Sequence, residues 1–383
     1  MLAFLLAAAL LPADEYASRA SKLEGKKDAK AWLALADFAE EKLLLDKREE
    51  ALRKVLESDP KNASAHQRLD EVQCGKDWLP AEEADAKEIA ENEARKLVFY
   101  GSKWMTEKEA GKLREADRKA LGWAVEVKID TPLLAIYAGK DLAYARRVAR
   151  ILENETQVYL RLYGKVWKME TKIKPINVFL FPDMETYQRM SGEEPGNPAV
   201  YLNDKRALYV SGGDQEALPY RTINAVHEML HALDDNLAHV LSPFVPFWAQ
   251  EGRAHHFGYA VQGLQVLPGH VRVPPKDLLI KNLQSGIEAT PLPAFLALDN
   301  KAFMDGKQDE NYAQAWALVH FLFEGDEGRH AEAFRKYLSG FPAKSNLAAF
   351  EATVGKASDL QEPYARYVKE VLIPLGRASQ GKP

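Results

Sequence analysis

His227-Glu228-Met229-Leu230-His231 is the stretch that most narrows what this chain can fold into. A helix turns once every 3.6 residues, so imidazoles four apart project from one side and can share a metal ion. HExxH on a helix therefore reads as two zinc ligands with a carboxylate beside them, Glu228, placed to act as a general base. The flanking residues ask for that helix. Val226, Leu230, Leu233 and Leu237 form an apolar stripe along Thr222 to Ala238, and His227, His231 and Asp235 fall on the neighbouring stripe. Neither Gly nor Pro interrupts the run.

Catalytic zinc commonly takes three protein ligands and keeps one position for water, and two His with one Glu is a known set. A second apolar, helix-like segment runs from Pro246 to Ala254, and its Glu251 lies twenty residues beyond His231. Glu251 is the candidate third ligand; the plainer reading is a surface carboxylate near a helix start. His255 and His256 diverge by about 100° on a helix, so at most one faces the metal. His239 and His320 read as structural. The lone Cys74 lies far upstream, and no G-x-S-x-G stretch offers a serine nucleophile.

With Trp248-Ala249-Gln250-Glu251-Gly252 added to HExxH, the sequence resembles the gluzincin zinc metallopeptidases. Within them it is similar to the peptidase-MA-like domains, whose third ligand lies in a W-x-x-E-G pattern. The likeness runs from about Val125 to Leu372, and these two motifs are its specific part. It implies an α+β, thermolysin-like zincin catalytic domain: a small sheet, the HExxH helix and a C-terminal helical part, with the cleft between the two halves. It implies one zinc ion on His227, His231 and Glu251, and hydrolysis of a peptide or protein substrate with Glu228 as general base. The last strand before the helix, Leu208-Tyr209-Val210-Ser211, would be a sheet edge that takes an extended peptide; an ordinary core strand is the alternative. Tyr312 is the candidate donor to the oxyanion, against a half-buried packing role.

One position departs from the pattern. In several gluzincins the residue four after the third ligand is an acid that orients a ligand histidine, and here it is His255. A neutral imidazole can accept that hydrogen bond without raising ligand basicity as a carboxylate does. Asp234 or Asp235 could take the same outer role, or be solvated helix charges. Two rival readings use the same cleft: a catalytically silent relative that only binds, and a zinc hydrolase of a non-peptide amide.

The remaining chain frames this domain. At 383 residues with 46% hydrophobic content there is enough apolar material for two or three cores. A formal net charge of -5 gives no basic patch of the kind nucleic acid requires. The apolar run Leu2 to Ala13 is too short to span a bilayer and ends before Asp14-Glu15, which reads as a signal peptide over 1–13 and an exported protein. The alternative is the first buried helix of a cytosolic protein. One cysteine excludes an intramolecular disulfide.

Residues 14–120 read as a helical N-terminal segment. Its Asp28 to Leu69 portion looks like a tetratricopeptide unit, or a generic helical hairpin, able to meet a protein partner because one unit cannot bury its own face. A short repeat follows, Gly75 to Ala84 against Gly101 to Ala110, each copy placing a Trp before a capped, acidic helix start. We read it as a structural pair. From Gly122 the alternation in Ala124 to Ile129 and Leu133 to Tyr137 marks the catalytic domain, with 121–240 as its sheet and HExxH half and 241–383 as its helical half.

Overall fold

Residues 12–42, 44–170, 172–194, 197–212, 218–240, 245–271, 281–282, 290–305, 307–340 and 346–379 are described by a computed structural model of the chain. The apolar run 2–11 of the expected signal peptide lies outside the described residues. The chain is mixed α+β and divides into two compact units, Met1–Glu91 and Asn92–Pro383.

The first unit opens with α1 (Pro12–Ser21), α2 (Ala29–Glu41), α3 (Leu45–Ser58) and α4 (Ala63–Arg68). Asp28 caps α2 by accepting from the Ala31 N–H, and Asn62 caps α4 in the same way. Trp32, Leu35, Ala36, Leu52 and Val55 make the hairpin core expected from the sequence, and α1 supplies a neighbour for its open face by burying Tyr16 there.

The segment is not helical throughout. Each copy of the short repeat is a β-hairpin followed by a helix: β1 (Glu71–Cys74) and β2 (Asp77–Pro80) before α5 (Ala81–Ala94), then β3 (Leu97–Tyr100) and β4 (Lys103–Thr106) before α6 (Glu107–Leu121). Gly101 and Ser102 both hold positive φ, 59° and 60°, the two-residue turn whose twist suits a hairpin. Trp78 stacks on His66 at 3.9 Å, and Trp104 meets Phe99 edge-on at 5.4 Å, so both tryptophans pack locally. The expected boundary at 120 moves upstream, because Tyr100 and Ala110 share a core with Trp123, Phe179, Phe181 and Tyr209.

That core belongs to a five-stranded sheet of β5 (Val127–Asp130), β6 (Leu134–Ala138), β7 (Ile176–Leu180), β8 (Ala199–Leu202) and β9 (Ala207–Val210), in the order β5-β6-β7-β9-β8. β6, β7 and β9 run parallel, and β5 and β8 pair antiparallel at the two ends. α7 (Leu142–Tyr163) crosses between β6 and β7, and α8 (Met184–Ser191) follows β7. β9 is therefore an interior strand with Leu208, Tyr209 and Val210 buried and both flanks paired. The sheet edge expected at Leu208 to Ser211 is instead β8, and the alternative reading of that segment as a core strand is the one the pairing supports.

α9 (Leu218–Leu233) carries HExxH and ends in a single π turn over Asp234–Ala238. α10 (Phe247–Gly258) carries W-x-x-E-G. Beyond the small hairpin β10 (Val261–Gln262) and β11 (Gln265–Val266) the described chain is helical: α11 (Leu292–Leu296), α12 (Asn300–Met304), α13 (Gln308–Glu324), α14 (Ala331–Ser339), α15 (Asn346–Thr353), α16 (Ala357–Tyr367) and α17 (Ile373–Ser379). Trp316, Leu318, Val319 and Phe321 of α13 are completely buried and form the centre of this half.

Candidate metal centre

Two glycines bring the site helices together. A Cβ on Gly252 would lie 2.4 Å from the Ala315 carbonyl oxygen and 2.6 Å from Val319 Cγ2, so only glycine lets α10 pack this closely on α13. At Gly258 the nearest atom would be the Ile223 carbonyl oxygen at 2.9 Å, with His227 Cβ at 3.6 Å, which draws α10 against α9. Trp248 is 1% exposed and stacks on Phe334 and Tyr337, anchoring the start of α10.

This packing brings His227, His231 and Glu251 together, one ligand atom from each lying within 4.8 Å of the others. The Nε2 atoms of the histidines are 3.4 Å apart. Glu251 Oε2 lies 3.2 Å from His227 Nε2, and its Oε1 lies 3.6 Å from His231 Nε2. A tetrahedral zinc with bonds of about 2.0–2.2 Å sets its donors about 3.3 Å apart. The separation of the two histidine nitrogens, and the approach of one Glu251 oxygen to each of them, are of that order, and the residue types are those zinc accepts.

The tautomer agrees. His255 Nδ1 lies 2.6 Å from His227 Nδ1, a contact that needs one donor and one acceptor. Burial drives the pKa of His255 well down, so its ring is neutral, with one nitrogen donating and the other accepting. With His227 Nδ1 engaged by His255, its Nε2 is the nitrogen that faces His231 and Glu251. His255 thus occupies the orienting position expected for it. Its neighbour His256 faces the core instead, stacked on Phe323 at 5.4 Å.

The electrostatics point the same way. Burial penalises charge on His231, yet the Glu251 carboxylate outweighs that penalty and raises its pKa to about 9. Burial would likewise raise the pKa of Glu251, but the two histidines hold it well below the ordinary carboxylate range. Glu251 thus stays ionised and favours a positive charge here, whether proton or cation. Glu228 differs: burial raises its pKa, the two histidines only partly opposing. Its Oε2 accepts the Tyr201 backbone N–H at 2.8 Å, and its Oε1 lies 3.8 Å from His227 Nε2, on the side of the ligand set.

Two expected outer residues go elsewhere. Asp234 is completely buried but bonds Arg253 and the Tyr159 hydroxyl rather than a ligand histidine. Asp235 accepts from the Tyr201 hydroxyl at 2.6 Å. In both cases the π turn after His231 re-aims the side chains that follow it. Tyr312 is half-buried with its ring 5.5 Å from that of His255, and its hydroxyl donates to Met304 Sδ at 3.8 Å. Burial, with the charges of Glu251 and Glu228, pushes its pKa up and keeps it a donor. His320 bonds Tyr367 and the Gly269 carbonyl, the structural role expected of it. Tyr201 and Arg253 escaped sequence reasoning; the one signal for Arg253 was its place directly after the E-G pair.

A scan against protein-family models finds no match for the chain, and a search of curated proteins finds none either. Among the described residues no helix is long and apolar enough to cross a membrane.

Proposed function

We propose that this chain is a zinc-dependent peptidase of the gluzincin type with a thermolysin-like catalytic domain. The observation that carries the reading is the convergence of His227, His231 and Glu251, one ligand atom from each within 4.8 Å of the others, beside the half-buried Glu228. His227, His231 and Glu251 would hold the ion, with His255 orienting His227. Bound there, zinc supplies a Lewis acid that polarises the scissile carbonyl and brings the pKa of water to about 7.

The chain's own groups do the rest. Glu228 Oε1 takes a proton from the attacking water and hands it to the leaving amine nitrogen, a role its raised pKa favours. The Tyr312 hydroxyl, freed from Met304, is the donor nearest in kind to what a developing oxyanion needs. An extended substrate would lie along β8, the sheet edge beside α9, using outward backbone groups other than the Tyr201 N–H, which Glu228 takes.

Elemental analysis of the purified protein tests the centre. We expect about one zinc per chain, largely lost in Glu251→Ala. Glu228→Gln should keep the metal and lose about 10²–10⁴-fold in turnover of a mixed fluorogenic peptide library. Absence of zinc from both the native protein and Glu251→Ala, after resupply, would remove the hydrolase reading.

A further inference from the structure

The edge of the sheet carries a hydrogen bond that an edge strand does not ordinarily make. In the β8/β9 ladder Ala199 faces Val210 and Tyr201 faces Leu208, while the Ser211 N–H bonds the Pro198 carbonyl one step further on. Antiparallel pairs alternate between bonded and non-bonded, so the bonded pairs are 198/211, 200/209 and 202/207. The backbone groups of Tyr201 therefore point away from the sheet. Its N–H, which on a bare edge would meet water or another strand, ends on Glu228 Oε2 at 2.8 Å.

The same residue is held at its other end. The Tyr201 ring is buried, and its hydroxyl donates to Asp235 Oδ2 at 2.6 Å while accepting from Asn236 Nδ2 at 2.8 Å. Asn236 is itself fixed by donating to the Ala232 carbonyl at 2.8 Å and by accepting from Arg206 Nε at 2.8 Å. Arg206 sits in the turn between β8 and β9, with φ of 49°. Tyr201 thus runs from Glu228 to the π turn seven residues later, and both attachments lie on the helix that carries HExxH.

We infer that Tyr201 is the positioning residue for the Glu228 carboxylate, an inference that rests on Glu228 being the general base. The N–H occupies Oε2 and so fixes the rotation of the carboxylate about its last bond. Oε1 is the oxygen left facing the ligand set, and the carboxylate is kept from swinging in as a further ligand. The hydroxyl, clamped by Asp235 and Asn236, holds the strand that supplies the N–H. Positioning of this kind acts on kcat, because misplacing a reacting group changes the barrier more than the encounter.

Two measurements on the full-length, zinc-loaded chain test it. Amide hydrogen exchange at Tyr201 should be slow in the native protein and at least about tenfold faster in Glu228→Ala, since the carboxylate is the sole acceptor for that outward N–H. Equal rates in the two would overturn the inference whether or not the protein is a peptidase. With the mixed fluorogenic peptide library as substrate, Tyr201→Phe should lower kcat about tenfold with KM and bound zinc unchanged. Asp235→Val should give the same loss, and the double variant no more than either alone. Full kcat in Tyr201→Phe would also overturn the inference. A native protein without turnover would count against the peptidase reading, and the exchange rates would still decide whether Tyr201 holds Glu228.

Discussion

Two buried polar clusters sit within a few residues of each other on α9 and α10, and they are built on opposite plans. Asp234, Arg253 and Tyr159 form a closed set: the carboxylate takes both ends of the guanidinium and a 2.8 Å bond from the phenol, and the Tyr163 and Trp167 rings lie 5.2 and 5.0 Å from the guanidinium carbon. Charge and count are matched. His227, His231 and Glu251 form an open set, in which a ligand atom from each side chain lies within 4.8 Å of the others and the Glu251 carboxylate favours a positive charge among them, proton or cation. A closed cluster needs nothing more and can only hold the fold; an open one, somewhat less buried, is completed by a proton or a cation. The closed pair stands beside the open site because it ties the end of the HExxH helix to the helix carrying Glu251.

If that contrast is right, breaking the closed pair should carry the largest effect on stability. Arg253→Met leaves Asp234 buried with an uncompensated charge and should cost about 3–5 kcal/mol. Adding Asp234→Leu to it should recover more than half, since the loss is of pairing rather than of packing. Urea unfolding at neutral pH measures both. A cost below about 1 kcal/mol for Arg253→Met would mean that solvent reaches the pair and that the two clusters do not differ as described.

The two clusters also differ in how far the sequence revealed them. HExxH and W-x-x-E-G are legible because the chemistry of each lies within one or two helical turns, where spacing alone fixes direction. Glu251 as candidate third ligand, and His255 at the place where the resembled pattern has an acid, rest on likeness to those patterns. Asp234 with Arg253 is a contact between two helices, and a π turn re-aims Asp234, so no local pattern announces the pair. The sheet edge was misplaced for a related reason. β9 has four buried residues in a row, whereas β8, of equal length, alternates in burial, and which of the two lies at the edge is set only by pairing. The two repeat copies showed their turn glycines and capped helices, but the strands between were too short for their period to declare itself.

A smaller effect should come from the bond that leads into the open cluster. His255→Phe keeps a ring beside Tyr312 and Tyr259 but removes the hydrogen-bond partner of His227 Nδ1. The ligand then loses its fixed orientation, and zinc affinity, read by competition with a chelator, should fall about 10–100-fold. Unfolding of the metal-free protein should hardly change. An affinity equal to that of the native chain would show that the ring of His227 is held by packing alone, and would make the open cluster less dependent on its surroundings than the contrast requires.

The smallest expected effect lies at a third cluster, intermediate between the two. Glu324 at the end of α13 faces His256, whose Nε2 is 3.7 Å from its Oε1, with Arg335 and Tyr367 as the other charged or titratable groups acting on it. Burial raises its pKa to about 7, with Arg335 only partly opposing, while burial keeps His256 neutral. An acid whose pKa is higher folded than unfolded stabilises nothing below the unfolded value, where both states are protonated. As pH rises from about 4.5 to 7 the unfolded chain ionises first, so stability falls through that window and then levels off. Since 24% of the side chain meets solvent, the loss should be on the order of 1 kcal/mol. Glu324→Gln should therefore match the native protein at pH 4 and exceed it at pH 8, measured by urea unfolding of the metal-free chain so that zinc binding does not enter. An equal pH slope in the two proteins would place the ionised carboxylate in water, leaving the closed and open clusters as the two buried ionic sets on these helices.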